Sequence, residues 1–71
     1  MTVTADGTTL WIVRTHRHQV ACVSRLLRHG VQIEILFNGS LLMSRVFDTG
    51  DEALDWAEEK RVHWRAARFI N

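Results

Sequence analysis

Four side chains able to ligate a metal or act as a base or nucleophile fall early in this 71-residue chain: His16, His18, Cys22 and His29. His16 and His18 flank Arg17 and place two imidazoles at alternate positions, the start of a metal site. A complete site needs three or four converging donors held by an outer shell of hydrogen bonds. Cys22 sits in the apolar run Val20–Val23, away from His29, so the simpler reading of His16 and His18 is an exposed polar connection. A nucleophilic cysteine needs an electropositive, accessible setting, and the neighbours of Cys22 instead predict a small core hydrophobe. Carboxylates gather only along Asp51–Glu59, and His63 follows Glu59 by one helical turn, an ordinary neighbour pair. The chain has no nucleophile elbow, phosphate-binding loop, dinucleotide fingerprint or zinc-protease motif. The expectation is a non-enzymatic protein with no catalytic residues, no metal, no cofactor and no small-molecule substrate.

The composition bounds the elements that carry these residues. At 46% hydrophobic and 24% charged, without proline, the chain has the make-up of one globular domain over residues 1–71. That length is near the lower limit for a single unaided core. The lone cysteine excludes an internal disulfide and suits a reducing compartment. The N-terminal residues lack the pattern of a signal peptide, and the longest apolar runs are too short to span a bilayer, so a cytoplasmic protein without membrane partners is expected. Charge divides unevenly: residues 1–47 hold five arginines against Asp6 and Glu34, a net of +3, whereas residues 48–71 hold four basic and six acidic side chains, a net of −2. Any attraction for phosphate would reside in the first part.

Asn38-Gly39, between VQIEILF and SLLMSRVF, is the strongest hairpin signal, because both residues accept positive φ. His29-Gly30 is a weaker signal of the same kind, and TTLWIVRT reads as a further strand. Two-residue turns at both sites would set Phe37 opposite Ser40, Ile35 opposite Leu42 and Glu34 opposite Met43, and also Leu26 opposite Ile33, Arg25 opposite Glu34 and Cys22 opposite Phe37. Alternation then gives a core face of Val20, Cys22, Leu26, Val31, Ile33, Ile35, Phe37, Leu42 and Val46. The other face collects Ala21, Val23, Arg25, Leu27, Gln32, Glu34, Leu36, Leu41, Met43 and Arg45. Phe47 falls on this second face, although it should pack beneath the helix that follows; a bulge would bring it back.

The helix is signalled by Thr49 as N-cap with Glu52 three residues on, a capping box. Asp51, Glu52 and Asp55 complement its positive start, and Arg65 and Arg68 its end. Ala53, Ala57 and Trp64 form its core stripe, flanked by Leu54, Trp56, Lys60 and Ala67. The expected fold is α+β: an antiparallel β-meander of three to four strands with one C-terminal helix packed on one face. A single helix leaves the second face bare, with Val23, Leu36, Leu41 and Met43 adjoining there. Its cover is expected to be the N-terminal segment with Trp11 or, more readily, a second copy of the chain in a homodimer. The leading expectation is a binding or structural module that self-associates or meets a protein partner through that face. The rival is nucleic-acid binding through Arg14, Arg17, Arg25 and Arg45; the three tryptophans can also be read as stacking platforms, but core packing better explains at least two of them.

The stretch RVFDTGDEALDWAEEKR resembles a group of short bacterial proteins without assigned function, built as a strand meander ending in F-D-T-x-x-E-A-x-x-W-A-E-E-x-R. Phe47, Asp48, Thr49, Glu52, Ala53, Trp56, Ala57, Glu58, Glu59 and Arg61 match that pattern. The resemblance covers most of residues 20–61 and implies the fold rather than an activity. The order of strands, F-D-T and an E-A helix is also similar to the plant ethylene-response-factor DNA-binding domain, with the match confined to Phe47, Asp48, Thr49, Glu52 and Ala53.

Overall fold

Asn38 and Gly39 adopt φ of 51° and 87°, the positive values that a tight hairpin turn requires. They join two of the four strands among the described residues: β1 (Thr8–Arg14), β2 (Gln19–Leu27), β3 (Gly30–Phe37) and β4 (Ser40–Phe47), followed by the helix α1 (Gly50–Ala67). The strands form one antiparallel sheet in the order β1-β2-β3-β4, a simple meander. The computed structural model describes residues 7–67, and Arg68 at the expected helix end lies outside them.

Two local features move side chains from their expected places. The β2–β3 loop is Arg28-His29, because Gly30 already pairs with Leu27. The register is therefore two residues from the expected one: Cys22 pairs with Ile35, Arg25 with Gln32 and Leu26 with Val31. A shift of two preserves faces, since side chains alternate with period two. The second feature is a bulge in β4: Leu36 pairs with Leu41 but Ile35 with Met43, leaving Leu42 as an extra residue. Beyond it every β4 side chain changes face. Phe47 pairs with Val31 and is buried, whereas Val46 pairs with Gln32 and is exposed. Leu42 and Val46, expected in the core, are thus surface residues, as is Leu26 at the far end of β2, 87% exposed.

Helix α1 begins as the capping residues direct: the Glu52 amide donates to Thr49 Oγ1 at 3.2 Å and the Ala53 amide to the Thr49 carbonyl at 3.2 Å. Ala53 and Ala57 are buried, and these small residues let the helix lie close upon Val20, Cys22, Ile33, Ile35 and Phe47. Leu54, expected on the flank of this stripe, is exposed. Trp11, Trp56 and Trp64 are half-buried and all pack against that core, which favours packing over stacking as their role. The Phe47 and Trp56 ring centroids lie 5.6 Å apart, and Lys60 Nζ caps Trp56 from 5.2 Å. Trp11 belongs to this side as well: its indole Nε1 donates to the Ala57 carbonyl at 2.9 Å, tying β1 to the helix. It therefore does not cover the other face.

Candidate functional site

Directly opposed residues of antiparallel strands share a face, so the pairings map the side of the sheet away from the helix. Ile12 pairs with Ala21, Ala21 with Leu36 and Leu36 with Leu41, an apolar row crossing all four strands. The adjoining row runs through Thr9, Val23, Glu34 and Ser44, and the next pairs Arg25, Gln32 and Val46. Polar side chains on this face satisfy one another. Arg25 Nε meets Glu34 Oε1 at 2.8 Å, a diagonal contact rather than the directly opposed pair expected. Gln32 Nε2 donates to Ser44 Oγ at 3.0 Å, and Arg14 Nε donates to Gln19 Oε1 at 3.0 Å. With the polar groups paired internally, the apolar row is what the face presents: Leu41 is 57% and Ile12 43% exposed, with Leu36 and Val23 half-buried between them.

Of the expected contact residues, Val23, Leu36 and Leu41 adjoin on this face. Met43 does not: the β4 bulge pairs it with Ile35, on the helix side. Ile12 completes the row and was not foreseen, because no turn residue between β1 and β2 set their register. Of the expected arginines, Arg14 and Arg25 share the open face, and the β4 bulge removes Arg45 from it. Arg25 is on the open face, while Arg45 pairs with Ile33 on the helix side, its guanidinium 5.1 Å from the Phe47 ring centroid. Arg14 ends β1, and Arg17 lies in the turn to β2.

That turn is built by Thr15, whose amide donates to the His18 carbonyl at 2.8 Å and whose Oγ1 accepts from the Arg17 and His18 amides at 3.3 and 3.0 Å. The His18 ring packs 5.2 Å from Phe37, and its Nδ1 lies 3.3 Å from Asn38 Nδ2. Asn38 Oδ1 in turn accepts from the Gln19 amide at 2.8 Å, so the asparagine joins the two hairpin ends. Among the described residues no three His, Cys, Asp or Glu side chains converge as metal ligands. Cys22 is fully enclosed, and burial pushes its thiol up to about 11, the opposite of an activated nucleophile. On the helix, hydrogen bonding from Arg61 holds the exposed Glu58 carboxyl below its ordinary range. No helix among the described residues is long and apolar enough to cross a membrane. Comparison of the chain with family models, with curated proteins and with solved structures finds no match.

Proposed function

We propose that this chain is a non-enzymatic binding or structural module that self-associates as a homodimer through the open face of its sheet. The observation that carries this reading is the row Ile12–Ala21–Leu36–Leu41, apolar across all four strands and, among the described residues, without a helix above it. A two-fold axis sets such a row against itself, which requires no second partner chemistry. The gain is large for a chain this short, because the contact supplies apolar burial that its own core lacks.

In light scattering at high concentration the protein should run at twice the chain mass. Leu41→Asp, at an exposed position, should run at the single-chain mass with an unchanged far-ultraviolet circular dichroism spectrum. Leu36→Asp, nearer the centre, should dissociate or unfold. A wild-type protein that stays monomeric throughout would refute the proposal. Nucleic-acid binding is the weaker reading, since Arg25 is occupied with Glu34 and Arg45 lies on the other side of the sheet. Salt-sensitive retention on random DNA or RNA would revive it.

A further inference from the structure

The outer edge of β1 carries a second surface. A groove of about 330 Å³ is lined by Trp11, Ile12 and Val13 together with Arg61 and Arg65 of α1. Three successive strand residues point their side chains alternately to the two faces of a sheet. All three can border one groove only if it follows the edge of the strand itself. Among the described residues β1 is the first strand of the sheet, with β2 on one side and no strand on the other. Its outward N–H and C=O groups are a template for one more strand. The groove thus has two kinds of wall: a main-chain edge on one side and two guanidinium-bearing side chains on the other.

The charges decide what strand would fit. Arg61 is joined to Glu58 through Nε–Oε1 at 3.0 Å and a second contact from Nη2 to Oε2. Arg65 adds to the field on Glu58 but makes no ion pair among the described residues. Among the described residues the groove lining therefore carries one guanidinium outside any ion pair, that of Arg65. The apolar bodies of Trp11 and Val13 lie on the helix side of β1, where alternate side chains of an added strand would also point. A nucleic-acid backbone brings no strand-like hydrogen bonding to match this main-chain edge, whereas an extended peptide does.

We propose that the edge of β1 binds an extended acidic peptide by strand addition, its main chain pairing with Trp11–Val13 and a carboxylate side chain meeting Arg65. This is a recognition mode in which main-chain bonds hold the ligand and alternate side chains set its specificity. The site lies at the sheet edge, so it stands or falls independently of self-association through the open face.

The test is a titration of the ¹⁵N-labelled protein with a capped seven-residue peptide alternating valine and glutamate. Saturable shifts are expected at the Trp11–Val13 amides and the Trp11 indole N–H, weakening as salt is raised. Arg65→Glu, an exposed substitution whose fold is checked by circular dichroism, should reduce the affinity at least tenfold. The matching valine–lysine peptide should bind at least tenfold more weakly than the valine–glutamate peptide. The proposal is overturned if the lysine peptide binds equally, if shifts fall elsewhere, or if no shifts occur. It is equally overturned if a short single-stranded DNA shifts these resonances and the acidic peptide does not. Dilution alone reproducing the shifts would assign the edge to a second copy of the chain instead.

Discussion

Replacing Gly30 with alanine should cost about 2–4 kcal/mol, the sum of overpacking and a backbone angle that residues with a Cβ avoid. For a domain of this size that lowers the melting temperature by roughly 10–30 °C. The reason is a backbone contact. A Cβ on Gly30 would run into the Phe47 carbonyl oxygen, with the Phe47 carbonyl carbon at 3.4 Å and Val46 Cγ1 at 3.6 Å behind it, and φ at Gly30 is +153°. A side chain could rotate away, but a carbonyl fixed in the sheet cannot. Phe47 is also the last residue of β4 before the chain turns into α1, and its ring packs upon Trp56. Displacing its carbonyl therefore disturbs the strand end and the seating of the helix together. Gly39 supplies the control: its φ is +87°, but a Cβ there meets nothing within 4 Å. Gly39→Ala should cost less, about 1–2 kcal/mol, from backbone strain alone. Equal losses for the two variants in thermal unfolding would show that the close approach at Gly30 is not the source.

Raising the pH from 9 to 11 should remove about 2 kcal/mol of stability through Cys22, by linkage between ionisation and folding. The folded thiol is pushed from 9.0 to about 11 because ionising it would leave a charge in the enclosed core. In the unfolded chain the thiol loses its proton near its ordinary value. Between the two values the unfolded state binds fewer protons, so stability is fully present below about pH 9 and falls as the pH rises through the window. Few other side chains titrate there, since the chain has no tyrosine and one lysine. Denaturant unfolding measured across this range should show the fall in the wild type and a much shallower one in Cys22→Ala. That variant should already be weaker at neutral pH, by about 1 kcal/mol, for the contacts it loses. A profile of the same steepness in Cys22→Ala would place the alkaline sensitivity elsewhere.

Much of this architecture was legible in the residues because turns, caps and periodicity act locally. Asn38-Gly39 placed one hairpin correctly, and Thr49 with Ala53 and Ala57 placed the start and buried face of the helix. At His29-Gly30 the same logic misread the loop: the glycine serves a close approach to Phe47, and the turn itself is Arg28-His29. The resulting error of two residues altered the pairs but not the faces, so Val23 and Leu36 kept their places on the open side. The β4 bulge was less forgiving. One extra residue has no compositional mark, yet it transferred Met43 and Arg45 to the helix side and Val46 to the open one. Only the misplaced Phe47 hinted at it. The row completed by Ile12 depended on long-range pairing that no local signal encodes.

Eight residues of β4 lie across from only seven of β3, and the surplus sits between the turn and the anchor at Phe47. This segment therefore contains slack. Loss of one codon within it leaves enough chain for Phe47 to reach Val31, so the hairpin and the helix attachment should tolerate the deletion. Which residue is lost decides what is displayed. Without Leu42, Met43 stays beside Ile35; without Ser44, straight pairing would bring Leu42 beside Ile35 and turn Met43 outward, opposite Glu34. Such a strand can exchange Leu42 for Met43 at one margin by a change in length, while Phe47 remains anchored beneath the helix.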